Sequence, residues 1–197
     1  RGFRQNELGP LAYLANQYTD TLITLAGGET RRVFRATPDS GYSRVVPLGG
    51  NSIMVANLEA RMRSPVLSDL LQFTVFVDAG KLSRDIDFDL RQDVRFTPGI
   101  GVRVSSPVGP IRLDVGYNPY ELAKGVAYYD APLSGPLAPL YCVSPGNTFP
   151  IVEPQPGEGE VPVQDQTRGR CEATFQPVRG GSLLRRLTLN FSIGQAF

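Results

Sequence analysis

Apolar and polar side chains alternate along five segments of the chain. The segments are 53–63, 71–80, 94–105, 109–118 and 187–197. In the last of them the odd positions from Leu187 to Ile193 are large and apolar, whereas the even positions are small or polar. A period of two residues is that of a β-strand with two unlike faces. The alternation therefore predicts five β-strands.

The connections between the predicted strands alternate in length. A short link at 64–69 and a tight turn at 106–109 each join two strands, while a charged loop over 81–93 and a much longer connection over 121–183 separate the others. Short turns on one side and long loops on the other are typical of an antiparallel meander with two unlike ends. We expect 121–183 to form a long loop.

The two faces of the strands favour a membrane sheet over a soluble β-sandwich. The polar faces carry glycines and few lysines or glutamates, unlike a solvated sheet face. Ten residues of about 3.3 Å each, tilted by about 40°, span the apolar band of about 25 Å of an outer-membrane barrel. Five strands cannot close such a barrel, and an open sheet would leave backbone groups unpaired in hydrocarbon. The predicted fold is all-β, a transmembrane antiparallel β-barrel completed by further strands of a longer protein or by another chain.

The composition excludes several classes of function. The 197 residues contain no histidine, so a Ser-His-Asp site and a histidine-rich metal site are ruled out. No nucleophile stands beside a base, and we expect neither an enzyme nor a bound metal or cofactor. A net charge of +1 provides no field that would attract nucleic acid. The chain contains no stretch of about 18 apolar residues, so no membrane-spanning helix is predicted.

Several short motifs occur together along the chain. They are RGF at 1–3, GGN at 49–51 with LE at 58–59, FVDAG at 76–80, GIGVR at 99–103 with PVGPIRLD at 107–114, and NFSIGQAF at 190–197. In these motifs and their order, the chain resembles the bacterial surface antigen domain of the outer-membrane assembly superfamily that includes BamA and TamA. The resemblance covers the whole chain except the long loop.

This resemblance implies a position within a larger barrel. The five strands would be the last of a sixteen-stranded barrel, preceded by eleven strands and by periplasmic POTRA domains. Residues 1–197 would be the C-terminal part of one barrel domain. Residues 1–50 would form the loop that folds back into the lumen, and 121–183 would be a long extracellular loop.

The resemblance also implies a lock for the loop at 1–50. The RGF motif in this sequence is Arg1, Gly2 and Phe3. In the family, the arginine of this motif reaches acidic residues on the lumen side of the strands. Glu59 and Asp78 fall on the polar faces of adjacent predicted strands, where a carboxylate pair requires a cation. We expect Arg1 to form a salt bridge with Asp78 and with Glu59. A solvated, frayed Arg1 is the alternative.

The last predicted strand would close the barrel against its first strand. In the resembling proteins this seam is a lateral gate, and an opened seam exposes a strand edge that templates an incoming strand. Gly194 removes a side chain near the end of the strand and permits a bend. We expect Phe191, Ile193, Gly194 and Phe197 to be gate residues.

The two cysteines lie within the long loop. Cys142 and Cys171 would be outside the cell, where two cysteines most often pair. We expect a disulfide between them.

The resemblance implies an integral protein of the bacterial outer membrane that assembles other proteins. The leading prediction is a BamA-like factor that inserts and folds β-barrel clients through its lateral seam. A TamA-like translocation and assembly module and a two-partner secretion pore are the alternatives. The expected partners are outer-membrane lipids, unfolded β-barrel clients, and accessory periplasmic or lipoprotein subunits bound by N-terminal domains. A passive porin is disfavoured because it needs neither the RGF loop nor the acids that receive it.

Overall fold

The structure is a computed structural model that describes residues 1–3, 7–83, 94–107, 109–130, 140–152, 162–178 and 182–194. Within them, two 3-10 helices span Pro38–Ser40 and Leu183–Arg186. The strands are β1 Leu11–Ala15, β2 Thr19–Thr24, β3 Thr30–Arg35, β4 Tyr42–Pro47, β5 Ser52–Arg63, β6 Leu71–Ser83, β7 Arg95–Val104, β8 Ile111–Tyr117, β9 Gly125–Asp130, β10 Leu140–Cys142, β11 Ile151–Val152, β12 Val163–Gln164 and β13 Leu187–Ile193. The all-β prediction is confirmed.

The first of two compact units contains all five strands predicted from alternation. It comprises Arg1–Gly9, Gly49–Glu121 and Arg179–Phe197. Its sheet has the order β13-β8-β7-β6-β5, and every neighbouring pair is antiparallel. The predicted antiparallel meander is therefore present, with β5 and β13 as the edge strands of the described sheet.

The apolar face of this sheet is the exposed one. Leu58 is 76% exposed, Ile100 64% and Phe191 63%. A soluble domain rarely leaves so continuous an apolar surface in water, whereas a membrane sheet turns it toward lipid. On the opposite face Phe76, which breaks the alternation of its strand, is only 1% exposed.

Two strands are shorter than their alternation predicts. The pattern over 109–118 yields a strand from Ile111, because Gly109 adopts a left-handed φ of 111° and Pro110 has no N–H to donate. The pattern over 187–197 yields a strand to Ile193, where Gly194 has a φ of 91°. Residues 195–197 lie outside the described part of the chain.

The second compact unit is built from segments predicted to be loops. It comprises Pro10–Leu48 and Leu122–Val178. Its main sheet has the order β10-β9-β1-β4, in which β1 is parallel to β9 and antiparallel to β4. Of the predicted loop 1–50, only residues 1–9 and 49–50 belong to the first unit. The lumenal position of 1–50 and the extracellular position of 121–183 stay predictions.

A hydrophobic core accounts for the second unit. Leu11, Tyr13, Val143 and Phe175 are each at most 1% exposed, and the rings of Tyr13 and Phe175 pack edge to face with centroids 5.4 Å apart. Strand β1 is buried at nearly every position, so it is apolar on both faces and shows no alternation. A central strand of this kind has no period-two signal, which explains why the sequence did not predict it.

Candidate functional site

The polar face of the five-stranded sheet brings charged residues from several strands close together. Glu59 of β5 lies opposite Phe76 of β6, and Asp78 of β6 lies opposite Thr97 of β7. Asp114 of β8 is on the same face and only 2% exposed. Residues two apart on a strand share a face, so the alternation alone places these side chains on one side.

Arg1 lies between the two predicted acids. Its Nη1 is 2.5 Å from Glu59 Oε2, and its Nη2 donates to Asp78 Oδ1 at 3.3 Å. The backbone N–H of Gly2 donates to the other Asp78 oxygen at 3.3 Å. The guanidinium carbon stands 4.2 Å from the centre of the Phe76 ring, a cation–π contact that its charge favours. We call Arg1, Glu59 and Asp78 the loop lock.

The terminal strand also holds Arg1. Asn190 of β13 donates from Nδ2 to the Arg1 carbonyl oxygen at 2.8 Å. Asn190 pairs in register with Asp114, on the polar face. Asn190 occupies an even position within 187–197, which marks it as a member of this face, but no local pattern predicts its contact with Arg1. The RGF segment therefore contacts β5, β6 and β13.

Glu59 is shared among several arginines. Its oxygens lie 2.5 Å from Arg103 Nη2, 2.6 Å from Arg61 Nε and 3.6 Å from Arg112 Nη2. Arg112 also pairs with Asp114 through a 2.5 Å contact. Arg61, Arg103 and Arg112 thus share one acid of the loop lock with Arg1.

Glycines make room for the RGF segment. A Cβ on Gly2 would lie 1.9 Å from Thr97 Oγ1, and a Cβ on Gly116 would lie 2.8 Å from the Gly2 Cα. Phe3 packs near Gly80, where a Cβ would come within 3.3 Å of its ring. Side chains at these positions would displace the segment from the sheet, so Gly2 is needed for its contact with the strands.

Gly99 and Gly101 make room for neighbouring side chains on the polar face. A Cβ on Gly99 would lie 2.2 Å from Phe76 Cζ, and one on Gly101 would lie 2.1 Å from Asp114 Oδ1. These glycines accommodate the ring beneath Arg1 and a carboxylate of the charge cluster.

The predicted gate residues lie at the end of β13. Phe191 is 63% and Ile193 59% exposed on the apolar face. Gly194 ends the strand in a left-handed conformation, and its N–H donates to the Pro110 carbonyl oxygen at 3.0 Å. Phe197 lies outside the described residues. A gating role for this set stays a prediction.

Cys142 and Cys171 form a disulfide in the second unit, with Cα atoms 5.9 Å apart. We expect mass spectrometry of a non-reduced digest of the complete protein to recover the two peptides joined. Closing a loop of about 30 residues stabilises a fold by about 3–4 kcal/mol on the chain-entropy account, so the paired Cys→Ser variant should unfold more readily. Recovery of both cysteines as free thiols would contradict the pairing.

No helix among the described residues is long and apolar enough to cross a membrane. In the same part of the chain, no group of three or more His, Cys, Asp or Glu residues is arranged to hold a metal ion.

The sheet and its site define a class. An antiparallel sheet with an exposed apolar face and a polar opposite face is typical of an outer-membrane β-barrel protein. The model of the Omp85 superfamily domain matches residues 1–129. The chain belongs to the Omp85 superfamily, which confirms the predicted BamA/TamA-type relationship. No curated protein and no solved structure gives a significant match.

Membership of the superfamily indicates a general function. Omp85 members insert or secrete client proteins at the bacterial outer membrane, and they generally work with accessory subunits. They are non-enzymatic transporters or assembly factors. The matched range contains the RGF segment, Glu59 and Asp78, and it ends before β13.

Proposed function

We propose that this protein is a BamA-like assembly factor of the bacterial outer membrane. It inserts and folds β-barrel clients through a lateral seam between the first and last strands of its barrel. The observation that carries the proposal is the seating of the RGF segment, where Arg1 contacts Glu59 and Asp78 while Asn190 of the terminal strand binds its carbonyl oxygen.

This seating stabilises one side of the seam. Asn190 and the lock acids connect β13, through Arg1, to β5 and β6, so the terminal strand is attached to the strands on the opposite side of its own sheet. Strand β13 pairs with β8 along seven residues, which leaves its other edge to face the first strand of the complete barrel. An edge that is held in place and then exposed offers N–H and C=O groups to an incoming strand.

The end of β13 provides a point where the seam yields. Gly194 leaves the extended conformation, and its backbone N–H binds Pro110 in its own sheet. A strand that bends away there forms fewer hydrogen bonds across the seam. In this proposal Phe191, Ile193 and Gly194 belong to the gate.

The proposal includes lipid and protein partners. The exposed apolar face of the sheet contacts outer-membrane lipids, and the clients are unfolded β-barrel chains that pair with the free edge. Accessory periplasmic or lipoprotein subunits would bind the domains that precede the barrel. No cofactor and no covalent step enter this mechanism.

The test is an insertion assay with the complete protein in lipid vesicles. A urea-unfolded β-barrel client is added, and its folding into the bilayer is followed by heat-dependent gel migration and by protease protection. We expect faster folding than in empty vesicles. A client that folds at the empty-vesicle rate would overturn the proposal, and a client that crosses into the vesicle interior unfolded would favour a secretion pore.

A further inference from the structure

We propose that Glu7 and Asn118 form a second attachment of the RGF-bearing segment, separate from the loop lock. Asn118 donates from Nδ2 to Glu7 Oε2 at 2.7 Å. Both residues are buried, Glu7 at 4% and Asn118 at 2% exposure. When one partner of a buried hydrogen bond is removed, the other partner stays desolvated without a hydrogen bond, and the fold loses stability. The contact therefore stabilises this position of the chain. We call the pair the Glu7–Asn118 clamp.

The orientation of the Asn118 amide is set by a second hydrogen bond. Its Oδ1 accepts from the backbone N–H of Tyr120 at 3.0 Å. An amide whose oxygen is committed in this way must present its NH₂ group to the other side, where Glu7 lies. The clamp thus has a defined polarity, in which residue 118 donates and residue 7 accepts.

Other contacts seat residues 7–9 on the ends of two strands, β6 and β7. Arg95, the first residue of β7, donates from Nη1 to the Glu7 carbonyl oxygen at 3.3 Å. A Cβ on Gly80 would lie 2.9 Å from Leu8 Cδ1, so Leu8 covers that glycine of β6. Gly9 has a φ of 86° and packs against Leu82, where a Cβ would lie 2.4 Å from its side chain.

The clamp lies beyond the loop lock along the polar face. On β8, Gly2 lies against Gly116, and Asn118 follows two residues later. On β6, Gly2 donates to Asp78, and Gly80, which Leu8 covers, follows two residues later. The loop lock fixes the position of Arg1 and Gly2, and a second attachment farther along the strands also fixes the position of residues 7–9. Glu7 and Asn118 are therefore positioning residues for the segment, and their importance for client assembly rests on the proposed function above.

The polarity of the clamp provides the test. In the complete protein, Asn118→Asp places two carboxylates in one buried contact, and we expect protease cleavage within 1–9 to accelerate about tenfold. Adding Glu7→Gln restores a donor and an acceptor in reversed order, so the double variant should return to the slow wild-type cleavage. Asn16→Asp makes the same change in charge at an exposed position and should leave cleavage unchanged.

The outcomes separate the clamp from the proposed function. Wild-type cleavage in Asn118→Asp, or a double variant cleaved as fast as the single one, would overturn the clamp. If Asn118→Asp does not fold to a heat-modifiable barrel, the folded yield is measured in place of cleavage. The double variant should then recover the folded yield, and a double variant that folds no better than Asn118→Asp would overturn the clamp. Client insertion by the wild-type protein, measured in parallel, tests the function. Insertion no faster than in empty vesicles, together with slow cleavage restored in the double variant, refutes the assembly role and leaves the clamp standing.

Discussion

Replacing Glu59 by glutamine is expected to unseat the RGF segment and to reduce client assembly more than any other single change in the loop lock. Glu59 contacts Arg1, Arg103 and Arg112, whose side chains are 18%, 16% and 21% exposed. Glutamine keeps the shape of the side chain but removes its charge. Removing one partner of a buried ion pair costs about 3–5 kcal/mol, and water in a barrel lumen lowers that figure.

The charge balance of the cluster explains why the effect should exceed that of Arg1→Ala. Four arginines face three carboxylates on this surface, namely Arg1, Arg61, Arg103 and Arg112 against Glu59, Asp78 and Asp114. Loss of Arg1 removes a cation from a set that already has an excess of one. Loss of Glu59 instead leaves several cations close together without their shared counter-charge.

Protease protection of the RGF segment and client insertion in vesicles measure the effect of Glu59→Gln. Arg61→Ala is the matched control, because Arg61 binds the same carboxylate but its side chain is 60% exposed, and exposed pairs contribute about 0–1 kcal/mol. Adding Arg103→Gln to Glu59→Gln should restore part of the protection by relieving like-charge repulsion. Equal behaviour of Glu59→Gln and Arg61→Ala would contradict the central role of Glu59.

A disulfide that joins the terminal strand to the first strand of the barrel is expected to abolish client insertion. In the proposed mechanism the seam opens to offer its edge to a client, and a covalent bond across it would prevent opening. One cysteine replaces Thr188, on the polar face of β13, and the other replaces the residue facing it on the first strand. Insertion is measured in vesicles before and after addition of reductant, which should restore activity.

Two controls isolate the seam. Cysteines at Leu189 and Val115, which face each other in register, join β13 to β8 inside the sheet and should leave insertion intact. Insertion by the wild-type protein, measured with and without reductant, shows whether reduction of the Cys142–Cys171 disulfide itself changes the activity. Full insertion activity in a completely cross-linked seam would refute the lateral gate.

Alternation was sufficient to predict the five-stranded sheet. Each strand of the first unit has one apolar and one polar face, so a period of two identifies the strands and assigns Glu59, Asp78 and Asp114 to a common side. Phe76 was the exception, and only the structure shows why, since its ring fills the space above Gly99 and lies under Arg1.

The hydrogen bonds that complete the site could not be predicted in the same way. Asn190 is 189 residues from Arg1, and Asn118 is 111 residues from Glu7. Such pairs depend on sheet register and on the path of the segment across the strands, neither of which leaves a local pattern. The motif resemblance named Arg1, Glu59 and Asp78 but had no means of indicating that Arg103 and Arg112 share the same carboxylate.

The sequence by itself determined the class of fold, the five strands with their two faces, and the superfamily, because these depend on local periodicity and on short motifs in a fixed order. Only the tertiary structure decided that 10–48 and 122–178 form one unit, and that the RGF segment is held at two places on the polar face. Those features arise from pairing between distant segments, where burial on both sides removes alternation and contact partners are chosen by geometry.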